Sequence, residues 1–378
     1  MNNHPTNTGT NALHLLIVTF DPPENVGGVE GRTHGYVREL SKSGCYVEVE
    51  ALSPSYDFAA VEFEGSILHQ TSSRLVLLPS SFARTRRLII DHKLDSVFLL
   101  TGGFTMFGLA LLAYCRLTGK RTTMLVYGKD ILQARRKPLG RILARFSPMT
   151  ARCVSANSRY TASLLPRTTR TKARILYPAV DPRIAVNLIP SKRTDSERTI
   201  LFVGRLVKRK GVEDLLAATK TLLRDFPQLR LEIVGDGPER GRLDALVSSL
   251  GLEGAVTFFG SLRGKPLMAR YQLCDVFAMP SRTLKDDIEG FGTVFLEAGL
   301  FGKPCVGTFS GGIPDAILDG MTGLLVKEGD QKQLADALRT VLSDKALATR
   351  LGTCARERVL SHFTWEETTK QLVQIISL

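Results

Sequence analysis

TILFVGRLVKRKG, residues 199–211, decides the fold. A short apolar run enters Gly204, a basic loop follows, and Gly211 opens VEDLLAATKTLL, whose apolar residues recur at helical spacing. A continuously apolar strand that turns through glycine into a helix is the unit of a parallel sheet covered on both faces. The unit recurs downstream in LRLEIVGDG (229–237), AVTFFG (255–260), CDVFAMPS (274–281), KPCVGT (303–308) and TGLLV (322–326). Helices are expected over 211–225, 238–250, near 264–273 and from about Gly292 to Phe301. Upstream, LHLLIVTF (13–20), YVEVEAL (46–52), SVFLL (96–100), RTTMLVYG (121–128), ARCVSAN (151–157) and RILYPAV (174–180) read the same way. The polar stretch NLIPSKRTDSER (187–198) breaks the alternation and reads as a linker. Two doubly wound, Rossmann-like α/β domains, 1–190 and 191–360, are therefore expected to face a central cleft, with ligands at the carboxyl ends of both sheets. SHFTWEETTKQLVQIISL (361–378) reads as a further amphipathic helix.

Composition agrees. At 378 residues the chain is too long for one ordinary core. No apolar run reaches the roughly 20 residues of a membrane span, and MNNHPTNTGTNA (1–12) has neither the basic start nor the apolar core of a signal peptide. The six cysteines are scattered without a CxxC pair, which argues against a disulfide framework or structural zinc and fits a reducing cytoplasm. The net charge of +13 is uneven. Residues 1–190 hold 24 Lys and Arg against 13 Asp and Glu, whereas 191–378 hold 26 against 24. Such a bias in one half points to an anionic partner: nucleic acid, a membrane surface or an anionic substrate.

Two segments carry chemistry. In GRLVKRKG (204–211), Arg205 and Lys210 lie on a strand-to-helix loop, where a planar fork and a mobile point charge suit a diphosphate; a solvated basic loop would look the same. In EGFGTVFLE (289–297), Gly292 turns the chain into a helix whose first amides, at Thr293 and Val294, form an anion site. Glu297 stands where a carboxylate would accept from ribose hydroxyls, and Glu289 would face the group beyond the distal phosphate. Helix-dipole preference accounts for Glu289 but not for Glu297 in an apolar segment.

These motifs resemble the family-4 retaining glycosyltransferases. The E-x7-E pattern is met by Glu289 and Glu297, and the arginine–lysine pair by Arg205 and Lys210. VGDGPER (234–240), DVFAMPS (275–281), FLEAGLFGKPCVG (295–307) and SGGIPDAILDGMTGLLV (310–326) also match, as do PPENVGGVE (22–30), SANSRYTASLL (155–165) and LYPAVDP (176–182). SRTLKDDIEGFG (281–292) is most similar to the mannosyltransferases that act on phosphatidylinositol mannosides and other lipids. The resemblance implies the GT-B fold, an acceptor-binding first domain, a nucleotide-sugar-binding second domain, and a final helix crossing back to the first. It implies a hexosyltransferase that needs no metal or other cofactor. Arg205, Lys210 and the amides at Thr293 and Val294 would hold the diphosphate of a GDP- or UDP-sugar. Glu297 would take the ribose, the backbone near Leu262 the base, and Glu289 with Phe291 and Gly292 the hexose. Gly27 and Gly28 would close over the donor and acceptor. Tyr127 and Asp130, in YGKD where many relatives carry HGxD, would lie on the acceptor side. Cleft closure would hinge near 187–198 and 355–363.

The basic stretch ILQARRKPLGRILARFSPMTAR (131–152) reads as a face for anionic lipid, or as a solvated helix face. Nucleic acid is excluded, since the stretch carries no recognition motif. A peripheral enzyme on the cytoplasmic face of the membrane, with a lipid or glycan acceptor, is the expectation. The competing readings are a non-catalytic sugar-nucleotide-binding relative and a sugar-nucleotide epimerase.

Overall fold

The computed structural model describes residues 13–20, 30–53, 59–63, 66–72, 79–185 and 198–377. The chain divides into two compact units. The first takes in the described residues of Met1–Ala156, Ala162–Leu176 and Thr369–Leu378, and the second those of Asn157–Thr161 and Tyr177–Thr368.

The first unit is built on eight described strands: β1 (His14–Thr19), β2 (Tyr46–Ser53), β3 (Ala59–Phe63), β4 (Ser66–Ser72), β5 (Ser96–Leu99), β6 (Arg121–Val126), β7 (Cys153–Ala156) and β8 (Arg174–Ile175). Their order is β3-β4-β2-β1-β5-β6-β7-β8. All pairs are parallel except β3 with β4, a hairpin in a region where the alternation gave no strand. Leu16, Val18, Val97, Leu99, Met124 and Val126 of the central strands pack with Leu111 and Leu112 of the helix Met106–Leu117. That helix starts at Thr105, whose hydroxyl accepts the Gly108 amide at 2.9 Å and so caps it. The expected strand over 174–180 is only Arg174–Ile175; from Tyr177 the chain belongs to the second unit.

The second unit holds β9 (Arg198–Val203), β10 (Leu229–Val234), β11 (Val256–Phe258), β12 (Val276–Met279), β13 (Cys305–Thr308) and β14 (Gly323–Val326), in the order β11-β10-β9-β12-β13-β14. Every pair is parallel. The order reverses between β9 and β12, which is the switch point where open α/β sheets bind ligands. Fully buried Ile200, Phe202, Ile233, Phe277 and Val306 fill the interior with Leu215, Leu216 and Leu338 from flanking helices.

The division falls at Leu176/Tyr177 rather than at 190/191. Tyr177 packs on Phe291 and Phe363, and the Val180 amide donates to the Phe363 carbonyl at 2.8 Å, so this stretch is fixed to the second unit before the linker begins. Residues 186–197, where the linker and the first hinge were expected, lie outside the described residues. The second expected hinge, 355–363, falls at the end of the continuous helix Lys345–His362. The chain passes between units within the next helix, Trp365–Ser377.

Candidate active site

Five loops meet at the carboxyl edge of the second sheet. Backbone bonds sew three of them together: Gly204 N–H to Val234 O (2.9 Å), Leu206 N–H to Asp236 O (2.9 Å) and Gly235 N–H to Gly260 O (2.7 Å). The loop after β13 lies against the one after β12, with the Gly312 amide donating to Glu289 O at 2.9 Å. Gly311, at φ +51°, is required there, since a Cβ would stand 2.2 Å from that same carbonyl oxygen.

The second unit concentrates charge on this edge. Glu289 is buried, and Lys210 Nζ donates to its Oε2 at 2.6 Å. Arg209 Nη1 donates to the same oxygen, and Arg209 Nε faces Asp287 Oδ1 at 3.2 Å. Burial alone would raise the Glu289 carboxyl, but the fields of Lys210 and Arg209 outweigh it and hold the acid down at about 2. Burial also pulls Lys210 below its ordinary range, against the opposing pull of Glu289. Lys210, Arg209, Glu289 and Asp287 thus balance their formal charges. Arg205 is exposed, as is Lys208, and neither has a carboxylate partner among the described residues.

Gly292, at φ +86°, turns the chain from this cluster into the helix Thr293–Leu300. No side chain caps the helix, and among the described residues nothing accepts from the amides of Thr293 and Val294. A bare helix N-terminus at the same sheet edge as the loop of the exposed Arg205 and Lys208 suits an anion. Farther into the helix, Glu297 Oε2 accepts from the Tyr271 hydroxyl at 2.6 Å. Tyr271 is buried and stacked on Phe301. Burial raises the Glu297 carboxyl above its ordinary range, and the Tyr271 bond draws it partly back. Its other oxygen has no partner among the described residues.

Lys210, Glu289, Phe291, Gly292, Thr293, Val294 and Glu297 are therefore brought to one edge of one unit. Phe291 is turned inward against Tyr177 and Phe363, so any ligand contact there is through its backbone. Leu262 lies half-buried in the loop after β11. Gly27 and Gly28 lie outside the described residues. Tyr127 and Asp130 belong to the first unit, just after β6. Both Asp130 oxygens face the Tyr127 amide (3.1 and 3.2 Å), and Oδ1 also accepts the Ile131 amide (2.8 Å). Asp130 thus closes its own turn, and burial raises its carboxyl to about 6. Arg32 lies over the Tyr127 ring, 4.5 Å from its centroid.

Sequence reasoning missed Arg209 and Asp287. The run Lys208-Arg209-Lys210 signals a cationic loop, but spacing does not say which of three consecutive cations turns toward the acid; a short 3-10 turn over Lys208–Lys210 does that. No sequence pattern marks Asp287 out, and its ion-pairing role appears only once Arg209 is turned toward it. Among the described residues no three His, Cys, Asp or Glu side chains converge on a possible metal position.

Two family models match consecutive parts of the chain: Glycosyltransferase Family 4 over residues 26–184 and Glycosyl transferases group 1 over 187–358. A GDP-mannose-dependent alpha-(1-6)-phosphatidylinositol monomannoside mannosyltransferase of Mycobacterium tuberculosis is 30% identical over 383 residues, covering 96% of this chain and 97% of its own. The Mycolicibacterium smegmatis protein of the same name is 28% identical over 380 residues, covering 96% and 98%. Sucrose-phosphate synthase from Thermosynechococcus elongatus superposes with a TM-score of 0.79 at 23% identity, covering 96% of this chain and 98% of that one. Anabaena HepE, crystallised with UDP, superposes at 0.76 and 20% identity, covering 97% and 100%. These structural likenesses establish the GT-B fold expected from the sequence.

Proposed function

The chain belongs to the family-4 glycosyltransferases and is a hexosyltransferase, and from that premise we propose that it moves a hexose from a GDP- or UDP-linked sugar to a hydroxyl of a lipid or glycan-lipid acceptor, with retention at the anomeric carbon. One observation carries this reading: an ionised Glu289, held by Lys210 and Arg209, stands beside the bare N-terminus of the Thr293–Leu300 helix.

In this reading Arg205 and the amides of Thr293 and Val294 take the diphosphate. The Lys210 ammonium has three donors, so it can keep Glu289 and still reach a phosphate oxygen. The free oxygen of Glu297 accepts from the ribose, and the loop at Leu262 borders the base. Glu289, with the backbone at Phe291 and Gly292, orients the hexose. The bond between the anomeric carbon and the diphosphate breaks, and its electron pair moves to the phosphate oxygen, where the cations and the helix N-terminus stabilise it. The acceptor hydroxyl attacks from the same face and passes its proton to that oxygen. A carboxylate held near 2 is a weak base and a weak nucleophile, so Glu289 positions rather than reacts. Cations of the chain supply the charge a metal would otherwise supply, and turnover is expected to persist in EDTA. Gly27, Gly28, Tyr127 and Asp130 fall to the acceptor side; Asp130 acts there by holding the turn that presents Tyr127. The lipid acceptor is supported by the substrate named for the mycobacterial relatives. Such an acceptor fits a peripheral enzyme at the anionic inner face of the membrane; no described helix is long and apolar enough to cross one.

The test is mass-resolved turnover with GDP- and UDP-sugars, with and without lipid extract. Nucleoside diphosphate released together with a glycosylated lipid supports the reading. An isomerised donor without acceptor would replace it with an epimerase, and binding without turnover with a non-catalytic relative.

A further inference from the structure

Lys210 and Glu289 sit on different loops, and a second ion pair fastens those loops together. Lys210 precedes the helix Val212–Leu222, and Glu289 lies late in the loop 280–292 between β12 and the helix Thr293–Leu300. Near the start of that loop, Arg282 reaches back to the first turn of the Val212–Leu222 helix. Its Nε donates to Asp214 Oδ2 at 2.7 Å, its Nη2 to Asp214 Oδ1, and its Nη1 to Glu213 Oε1 at 2.8 Å. Asp214 is 2% exposed and takes Gln331 Nε2 on Oδ1 as well, at 2.9 Å. The backbones also touch here, the Arg282 amide donating to the Arg209 carbonyl at 2.7 Å.

Acids in the first turn of a helix are favoured by its dipole alone. That accounts for Glu213 and Asp214, but not for a guanidinium brought from another loop to span both oxygens of a buried carboxylate. A fork on a carboxylate fixes direction as well as charge, so it holds the two backbones at a set separation and angle. From the Arg282–Asp214 contact, Lys210 stands four residues back along one segment, and Glu289 stands seven residues on along the other. The two ends meet again where Lys210 Nζ donates to Glu289 Oε2 at 2.6 Å. The two ion pairs therefore close a ring. Outside the ring, Thr283 holds the same loop to Glu328, through its amide at 2.7 Å and its hydroxyl at 2.8 Å.

We infer that Arg282 is a positioning residue: its fork on Asp214 holds the loop 280–292 against the basic loop, so that Lys210 and Arg209 both bear on one oxygen of Glu289 and set the carboxylate that orients the hexose. The orientation of the hexose rests on the proposed transfer. The ring of ion pairs does not, and it is read without any substrate. Releasing the fork frees one side of the ring, and Glu289 then gains less from its two cations.

The test is a double-mutant cycle on the full chain: wild type, R282K, E289Q and R282K/E289Q, with Tm measured at pH 7. Lysine keeps a cation beside the buried Asp214, so the fold is spared an uncompensated charge, but one ammonium cannot span both Asp214 oxygens and Glu213. The Tm lost on Glu289→Gln should shrink to less than half once Arg282→Lys is present. An equal loss in both backgrounds would make Arg282 a structural ion pair only and overturn the inference. Turnover and nucleotide binding give the second reading. R282K should lower kcat at least tenfold, while the Kd for GDP or UDP alone, which carry no hexose, stays within threefold. With Glu289→Gln already in place, R282K should change kcat less than twofold. Additive losses in kcat, or a loss of diphosphate affinity as large as the loss in kcat, would overturn the positioning role. Coupled Tm values in a wild type that turns over no sugar donor would support the ring and overturn the transferase reading instead.

Discussion

Two acids eight positions apart differ because their neighbours differ. Glu289 meets two cations on one oxygen and stays ionised; Glu297 meets a tyrosine hydroxyl among apolar groups and is pushed toward its neutral form. The Glu289 carboxyl, near 2 when folded against an ordinary 4.5, adds stability that is fully present above 4.5 and is lost as pH falls through 2. Its size is roughly 3 kcal/mol. Glu289→Gln should therefore lower Tm at pH 7, with the gap to wild type closing in acid, as calorimetry across pH would read; a constant gap would remove the ion pairs from the account. Glu297 carries the opposite expectation. Its protonation removes an acceptor for the ribose, so donor KM should rise on the acid side at a higher pH than an ordinary glutamate would allow. Glu297→Gln should raise KM at neutral pH and flatten that limb with kcat less affected. At this scale the sequence showed the residue types and the spacing of the acids. It did not show that Lys210 is buried on Glu289 while Arg205 remains free of it, because both lie on one short loop whose side-chain directions are set by a 3-10 turn.

Elements built from uninterrupted apolar runs, such as β1, β9 and β12, were legible because burial on both faces leaves no polar period to confuse. β2 is the instructive exception. Its Val-Glu-Val-Glu alternation would ordinarily mark a half-exposed strand, yet Val47, Glu48, Val49 and Glu50 are all buried. The helix Pro79–Asp91 covers the acid-bearing face, and His69 reaches onto it from the neighbouring strand β4: Thr85 donates to Glu50 at 2.7 Å, and His69 Nε2 lies 2.8 Å from Glu48. Tyr46 donates to Glu48 at 2.6 Å, and His92 also pairs with it. Among the described residues Glu50 Oε1 is buried without a hydrogen-bond partner, and burial lifts its carboxyl to about 7. The folded chain therefore keeps a proton that the unfolded chain has released between 4.5 and 7, and stability from this group declines as pH rises through that window. Glu50→Gln should stabilise the chain relative to wild type at pH 8, by on the order of 3 kcal/mol at most, and much less at pH 4, as a rise in Tm would read. An equal effect at both pH values would mean that Glu50 is already ionised in the folded chain.

The whole molecule divides its labour by charge. The first half carries nearly all of the basic excess, and the second half carries the acids and cations that pair with one another around Glu289. The chain's crossing between units was legible only approximately. An amphipathic pattern marks the final helix, but the pairing of Val180 with Phe363 and the passage at Thr368/Thr369 depend on long-range partners that no local pattern encodes. In the proposed reaction a donor leaving group held on the helix N-terminus and its neighbouring cations takes the acceptor proton on the same face, with Glu289 too acidic to act from the other. The anomeric configuration of the hexose in the lipid product, set beside that of the donor by NMR, tests this most directly. The same configuration in both is predicted. An inverted product would contradict the account, because it would require a base across the sugar ring that Glu289, held near 2, cannot be.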